Sequence, residues 1–261
     1  MEAYLQWEDV SYHYPGGQGI EHVSLRLDAG ERVAVLGSNG AGKSTFLLCC
    51  NGVLRPQQGK IWLHGHPVRP KEEKELRRCV GLVLQDADSQ IVAGTVEQEV
   101  SFGPMNLQLE RQEVQQRVNE ALCSMGTEHL RHRATHQLSG GEKKRVGIAG
   151  VLAMRPGLLL LDEPQASLDP AGCALLEQQL EQLHRQGMGL VISTHDIDFA
   201  WRWAERVLLF SQGRLVADEA PERVFADVEL LHACGLQQPL LWRVARALGR
   251  SGIPPRQPED F

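Results

Sequence analysis

The sequence predicts an α/β fold, with a parallel sheet covered by helices. Four short apolar runs carry this prediction, and they end at Gly37, Gln85, Glu163 and His195. None alternates between apolar and polar residues, which is typical of strands buried on both faces. Because open α/β sheets bind ligands at the carboxyl ends of their strands, we expect these four strand ends to form one composite site.

Two regions outside these runs have a different character. Residues 5–31 hold two alternating segments around a Pro-Gly-Gly turn, which predicts an antiparallel hairpin. Residues 86–155 contain long polar helical stretches, and Val114, Val118, Ala121 and Leu122 share one face of a predicted helix. The second region is therefore predicted to be a helical subdomain inserted between strands of the sheet.

The last part of the chain is predicted to be accessory. The stretch "SQGRLVADE" indicates a hairpin, and Pro221 begins amphipathic helices that reach Gly249. The final "GIPPRQPEDF" is expected to be extended or disordered. We therefore divide the chain into a main domain, residues 1–225, and a C-terminal helical extension with a tail, residues 226–261.

The composition excludes several classes of protein. The 261 residues are 42% hydrophobic and 23% charged, as in ordinary globular proteins. A formal net charge of -6 provides no global basic field, so nucleic acid is not an expected partner. The six cysteines lack zinc-ligand spacing and are expected to be reduced, and no apolar run approaches the ~18 residues of a membrane-spanning helix. The start of the chain has no signal-peptide pattern.

The stretch "GSNGAGKST" carries the most specific chemistry. It fits G-x-x-x-x-G-K-S between a predicted strand and the apolar helix "TFLLCCNGVL". Glycines let backbone N–H groups close around phosphate oxygens, Lys43 adds a positive charge, and the Ser44 hydroxyl can bind Mg²⁺. The stretch predicts a nucleotide site made of Gly37, Ser38, Asn39, Gly40, Ala41, Gly42, Lys43, Ser44 and Thr45.

Polar residues at the other strand ends suit a hydrolytic reaction. In "LLLLDEP", Asp162 has the form of an acid that holds magnesium, and Glu163 can polarise an attacking water. Gln85 is expected to sense magnesium and that water. His195 is expected to contact the γ-phosphate and to stabilise the transition state by hydrogen bonding.

A second candidate anion site lies in "LSGGEKKR". Ser139, Gly140 and Gly141 have the pattern of a helix start, whose N–H groups and positive dipole end attract anions. The same serine can also cap the helix. A chain with one phosphate site thus has a second helix start of the same kind.

Together these motifs resemble the ATP-binding-cassette ATPases in order and spacing. The likeness covers about residues 3–225 and implies a P-loop NTPase fold: a RecA-like core, an N-terminal antiparallel β subdomain and an inserted α-helical subdomain. It implies that ATP and Mg²⁺ bind, and that each "LSGG" segment closes over ATP held by the other subunit of a head-to-tail pair. It also implies that Asp169 of "SLD" contacts the nucleotide and that Tyr14 stacks on adenine, with Tyr12 as the rival.

A finer resemblance is to the ATPase subunits of energy-coupling-factor importers of the cobalt type. It is carried by "GLVLQDADSQI", "LSGGEKKRVGIAGVLAMRP", "STHDIDFAWRWAERV" and "HACGLQQPLLWRVARALG". It implies a peripheral subunit on the cytoplasmic face of the cell membrane, working with integral membrane transporter subunits in an ATPase homodimer or with a related ATPase. The exposed histidines His64 and His66 are expected to have no role with the ion, which membrane subunits would select.

Three alternatives remain open, and two positions depart from the family pattern. The cargo can be nickel or a vitamin, and the chain can be a soluble cassette ATPase unconnected with transport or a nucleotide-binding regulator without turnover.

Residues 86–107, after Gln85, are predicted to form the groove that docks the membrane partner. The stretch "EPQASLDP" departs from the usual Thr-Ala-Gly in front of "LDP", and little effect on hydrolysis is expected because Glu163 and Asp169 are retained. Glu142 replaces the commoner Gln after "LSGG", which puts no main role in doubt.

Overall fold

The computed structural model describes residues 3–250, 252–257 and 259 of the chain. It contains two compact units. The first unit combines Met1–Pro70 with Val191–Phe261, and the second unit is Lys71–Leu190.

Both units contain strands and helices. Residues before Lys71 form β1 (Leu5–His13), β2 (Gly19–Leu27), β3 (Arg32–Leu36), α1 (Lys43–Asn51), β4 (Gln58–Leu63) and β5 (His66–Pro67). The second unit contains α2 (Glu73–Cys79), β6 (Val80–Val83), α3 (Ala87–Gln90), α4 (Val96–Asn106), α5 (Arg111–Ser124), α6 (Gly140–Leu152), β7 (Leu158–Asp162) and α7 (Pro170–Arg185), with 3-10 helices at Glu128–Leu130 and Thr135–Gln137. From there the chain continues through β8 (Gly189–Ser193), which passes into the first unit, to α8 (Ile197–Trp203), β9 (Arg206–Ser211), β10 (Arg214–Glu219), α9 (Pro221–Ala226), α10 (Val228–Ala233) and α11 (Leu240–Ala247).

An antiparallel sheet of four strands begins the first unit, in the order β2-β1-β4-β5. The predicted hairpin is its β1–β2 pair, in which Leu5 lies opposite Leu27 and Trp7 opposite Leu25. Trp7 is 1% exposed and its ring packs against Phe46 of α1 at 4.9 Å. This sheet is therefore anchored to the helix that follows the Gly-rich loop.

The parallel strands of the first unit are buried as the sequence predicts. Strand β9 pairs in parallel with β3 and in antiparallel with β10, which forms the predicted C-terminal hairpin. Just after β8, the Thr194 N–H donates to the carbonyl of Val35 in β3 at 3.1 Å. From Val33 to Leu36 and from Val207 to Phe210 the side chains are fully buried, which explains the apolar runs without alternation.

The second unit contains the predicted helical block. Strands β6 and β7 pair in parallel, with Val80 opposite Leu158. Helices α4, α5 and α6 bury Val100, Val118, Leu122 and Ile148. Val114, expected on the same face of α5, is only half-buried. Helices therefore occupy residues 86–155 as expected, while the domain boundaries stay predictions.

The C-terminal extension is helical, and its tail lies on α8 and α9. Residues 253–255 have no regular structure, as expected of this segment, and positions 251, 258, 260 and 261 of the tail lie outside the described residues. The Trp201 indole donates to the carbonyl of Pro255 at 3.1 Å. Arg256 pairs with Glu222 at 2.5 Å, donates to the carbonyl of Ala204, and lies 5.3 Å from the Trp201 ring centroid.

Within the part of the chain that the structure describes, no helix combines the length and the apolar character needed to span a bilayer.

We predict that Arg256→Ala lowers the free energy of unfolding by about 1–3 kcal/mol, because it removes a charge-assisted hydrogen bond, an ion pair and a cation–π contact together. Urea unfolding followed by tryptophan fluorescence measures this difference. Arg246→Ala, at an exposed position of α11, is the matched control and should change the value by less than about 0.5 kcal/mol. Equal effects of the two substitutions would contradict a tail held by Arg256.

Candidate nucleotide site

The Gly-rich loop joins β3 to α1 in the first unit, and the geometry of the loop requires glycine at two positions. Gly37 has φ 150°, and a Cβ there would lie 2.4 Å from the carbonyl oxygen of Phe210. Gly42 has φ 107°, and its Cβ would lie 2.9 Å from Cγ2 of Ile20. A side chain at either position would force the loop away from the strands, so the loop needs both glycines.

The loop is held against a turn of the same unit. The Gly213 N–H, in the β9–β10 turn, donates to the carbonyl of Ala41 at 3.0 Å. Helix α1 begins after Gly42 without a side-chain cap. A fixed loop that leads into an uncapped helix start is the arrangement that binds phosphate through main-chain N–H groups.

Lys43 lies inside this loop. Its side chain is 6% exposed, and Nζ donates to the carbonyls of Gly37 at 2.9 Å and Ser38 at 3.3 Å. Ser44 is exposed, whereas Thr45 is buried. The loop therefore holds its ammonium group close to its own backbone, with the Ser44 hydroxyl at the surface.

His195 and Tyr14 lie in the first unit with the loop. His195 is exposed directly after β8, and Asp196 caps α8 by accepting from the Phe199 N–H at 2.8 Å. Tyr14 lies in the turn after β1, with 38% of its surface exposed. Its rival Tyr12 pairs with Ile20 within the hairpin and contacts the Tyr14 ring edge-on at 5.1 Å. The greater exposure of Tyr14 favours it for stacking on a base.

The second unit brings Gln85 and the adjacent acids together. Asp162 ends β7 and is 7% exposed. Glu163 follows with φ 43°, a backbone conformation that costs energy for a residue with a side chain and is concentrated at functional sites. The Gln85 side-chain amide donates to the Glu163 carboxylate at 3.3 Å. The two residues that end the predicted strands therefore contact each other.

The "LSGGEKKR" segment begins α6 with a capping box. The Ser139 hydroxyl accepts from the Glu142 N–H at 3.3 Å, and the Glu142 carboxylate accepts from the Ser139 N–H at 2.7 Å. This second bond holds the pKa of Glu142 below its usual range. Ser139 and Gly140 are exposed, and a Cβ on Gly140 would meet nothing within 4 Å. The serine therefore caps the helix, and the glycine backbone beside it is open to approach.

Asp169 caps α7, where its carboxylate accepts from the Gly172 N–H at 2.7 Å. The carboxylate is exposed at the start of the helix. The cap is a structural role that sequence reasoning did not assign, and contact with a nucleotide stays a prediction.

Sequence reasoning also missed Lys144. Its side chain is 4% exposed, and Nζ donates to the main-chain carbonyls of Leu84 at 3.4 Å and Gln85. Its helical spacing was a usable signal, because Lys144, Ile148 and Leu152 recur every four residues on the buried face of α6.

The predicted site residues therefore form two groups. The loop, Tyr14 and His195 belong to the first unit, while Gln85, Asp162, Glu163, the Ser139 segment and Asp169 belong to the second. Their joint action on one nucleotide stays a prediction.

Comparison with known proteins identifies the family. The profile described as ABC transporter matches residues 20–166. The chain is 48% identical to the cobalt import ATP-binding protein CbiO of Rhodobacter capsulatus, over 96% of this chain and 91% of the relative. It is 44% identical to the energy-coupling factor transporter ATP-binding protein EcfA2 of Methanospirillum hungatei, over 97% of this chain, and spans 64% of that relative's length.

Solved structures agree with this assignment. CbiO1 from Clostridium perfringens, described as part of the ABC transporter complex cbiONQ, matches with TM-score 0.80 and 37% identity, over 95% of this chain and all of that chain. A dimeric post-hydrolysis state of the ATP-binding cassette MJ0796, bound to ADP and Pi, matches with TM-score 0.74 and 28% identity, over 83% of this chain and 98% of that chain. These likenesses confirm the predicted P-loop NTPase fold. The chain therefore belongs to the ABC transporter family, as one of its ATP-binding-cassette ATPases.

Proposed function

We propose that this chain hydrolyses MgATP to ADP and phosphate and thereby drives a membrane importer. The observation that carries the catalytic part is the contact between the Gln85 amide and the Glu163 carboxylate, at the ends of the paired strands β6 and β7. It gives a carboxylate that is held by a neighbour, as suits a positioned general base, on a backbone whose strain is typical of functional sites.

ATP would be bound mainly by the Gly-rich loop. The backbone of residues 37–45 surrounds the β- and γ-phosphates in this proposal, Lys43 neutralises their charge, and Tyr14 stacks on the adenine. Gly37 and Gly42 support this role, since a side chain at either position would clash with its neighbours and change the shape of the loop.

Magnesium would be held by Ser44, Gln85 and Asp162. These residues offer a hydroxyl, an amide oxygen and a carboxylate, which is the all-oxygen donor set that Mg²⁺ prefers. When bound, the ion supplies positive charge that neutralises the phosphate oxygens. Asp162 is suited to bind the ion, because the charge of a carboxylate on a residue that is 7% exposed is stabilised by a cationic partner.

Hydrolysis then requires a water in line with the γ-phosphorus. Glu163 takes a proton from this water as its oxygen bonds to phosphorus, the bond to the ADP oxygen breaks, and ADP and phosphate leave. Gln85 holds the Glu163 carboxylate, and His195 donates a hydrogen bond to the γ-phosphate as charge develops.

We predict that Glu163→Gln leaves MgATP binding intact and lowers the hydrolysis rate at least about 100-fold, because an amide cannot accept the proton from water. Phosphate release and binding of a fluorescent ATP analogue measure the two properties. Glu120→Gln, the same change on the outer face of α5, is the control and should keep the wild-type rate. Wild-type turnover in Glu163→Gln would remove Glu163 from the role of main base.

The second anion site is best explained by an ATPase dimer. Lys43 already serves the chain's own phosphates, so we propose that Ser139, Gly140 and Gly141 close over ATP held by the other subunit, with Asp169 nearby. The open backbone at Gly140 supports close approach of such a ligand. The partner is a second copy of this chain or a related ATPase.

We predict that Ser139→Arg prevents ATP-dependent dimerisation while each chain still binds ATP, because the long side chain covers the open helix start. The dimer is measured by light scattering in the Glu163→Gln background, which holds ATP. Ser139→Ala is the matched control, since it removes the cap without adding bulk. It should lower the free energy of unfolding by about 1 kcal/mol but form more ATP-dependent dimer than Ser139→Arg does. An ATP-dependent dimer of Ser139→Arg at wild-type strength would contradict the assignment.

We propose that the cargo is a divalent transition metal, namely cobalt. The relative named as a cobalt import protein supports this cargo, at 48% identity. The energy-coupling factor relative supports the alternative, nickel or a vitamin moved by the same class of importer. In either case the chain would act at the cytoplasmic face of the cell membrane as a peripheral subunit bound to integral membrane partners.

Residues 86–107 have the features of a docking surface for those partners. Val92, Phe102 and Met105 are exposed by 70%, 54% and 64%. The backbone under Val92 is fixed, because the buried Glu99 carboxylate accepts from the Val92 and Ala93 N–H groups at 2.9 and 2.8 Å. Exposed apolar side chains on a fixed backbone are typical of a contact surface.

We predict that Phe102→Asp abolishes both copurification with the membrane subunits and uptake of radioactive cobalt, and leaves ATP binding unchanged, because a charge is placed in an apolar contact. Leu175→Asp, at an exposed apolar position of α7, is the control and should keep both properties. Loss of ATP binding in Phe102→Asp, or normal uptake, would contradict the docking role. Competition of the uptake by nickel or by a vitamin distinguishes the cargoes.

A further inference from the structure

We propose that Lys144 is a positioning residue, which ties the helix that begins at the signature segment to the main chain of Gln85 and thereby sets the contact between Gln85 and Glu163. The inference rests on the proposed ATPase function and adds a residue that none of the motifs assigns.

The burial of Lys144 calls for a reason. A cation that is 4% exposed loses its hydration, and burial lowers the pKa of Lys144. An apolar residue would fill the same place on α6 at lower cost. The ammonium is stabilised instead by the main-chain carbonyls of Leu84 and Gln85, and the charges of Asp86 and Asp162 favour its protonated form.

These contacts form a continuous connection across the second unit. Lys144 lies one helical turn after Gly140, so it moves with the signature end of α6. Its Nζ bonds to the Gln85 carbonyl, and the Gln85 side chain bonds to the Glu163 carboxylate at 3.3 Å. Two hydrogen bonds therefore join the start of α6 to the proposed base.

The connection has a mechanical consequence. A shift of α6 when the signature segment engages ATP would carry Nζ with it and displace the Gln85 main chain. Without the ammonium, Gln85 would keep its side chain but lose the main-chain contact that fixes its position. The expected loss is in the rate of the chemical step, since ATP itself is held by the Gly-rich loop.

Lys143 provides a control of the same charge on the same helix. Its Nζ pairs with the Asp88 carboxylate at 2.5 Å, where the Lys143 side chain is 19% exposed and the Asp88 side chain 72%. Such a pair is screened by water and contributes little. Removing the charge at residue 143 therefore changes the helix surface without touching the Gln85 carbonyl.

The experiment measures ATP hydrolysis of the full chain as Lys144→Met and Lys143→Met, with and without Gln85→Ala. We expect Lys144→Met to lower kcat about 10- to 100-fold with KM for ATP within about 2-fold, and Lys143→Met to resemble the wild type. Because Lys144 acts through Gln85, Lys144→Met should change kcat less than about 2-fold in the Gln85→Ala background. If Lys144 had a purely structural role, Lys144→Met would instead lower kcat by the same factor in both backgrounds.

A second readout is independent of turnover. Hydrogen exchange of residues 84–86 should be faster in Lys144→Met than in the wild type and unchanged in Lys143→Met, whose own partner is Asp88. Unchanged exchange, a kcat near that of the wild type, or equal losses with and without Gln85 would each overturn the inference. If Lys144→Met does not fold, Lys144→Gln replaces it under the same criteria. A wild-type chain that does not hydrolyse MgATP would overturn the proposed function instead.

Discussion

The proposed site depends on how the backbone leaves a buried strand. A strand covered on both faces carries mainly apolar side chains, so its polar groups gather where the chain leaves the sheet. In the first unit this turn is Gly37, with φ 150°, and in the second it is Glu163, with φ 43°. Both conformations are unfavourable for most residues, and each directs the next residues away from the strand. The phosphate loop and the proposed base therefore both follow from a strained strand end.

The same constraint explains what the sequence made predictable. The strands β3, β6, β7 and β8 were recognisable because an apolar run stops abruptly at a chemically active residue, as Leu36 does before Gly37. The loop was recognisable because phosphate binding demands glycines and a lysine at fixed spacing. Strand β9 has an equally buried run, from Val207 to Phe210, but it ends without such a residue and was not predicted as a strand of the sheet. Its pairing with β3 is a long-range contact that local pattern does not encode.

Lys144 and Asp169 show a second limit of sequence reasoning. A lysine in a polar motif suggests exposure, and only the packing of α6 reveals that its ammonium reaches the carbonyls at Leu84 and Gln85. Those carbonyls are backbone atoms, which every residue has, so no residue type in the sequence marks them as partners. Asp169 was assigned to the nucleotide by resemblance, while its local contact is with the Gly172 N–H. Caps of this kind are compatible with a further role, since an aspartate has acceptor sites beyond the one it uses.

Glu142 raises an electrostatic question at the proposed signature site. A carboxylate there places negative charge at a helix start that is proposed to approach a phosphate, which would repel it. The capping box offsets part of this cost, because the Glu142 carboxylate is occupied by the Ser139 N–H at 2.7 Å. Arg133 lies 3.4 Å from the same carboxylate, and Arg145 also lowers the pKa of Glu142 by its charge. The carboxylate thus fixes the Ser139 backbone while nearby arginines reduce its field, and the open Gly140 backbone remains the part of the segment suited to a phosphate.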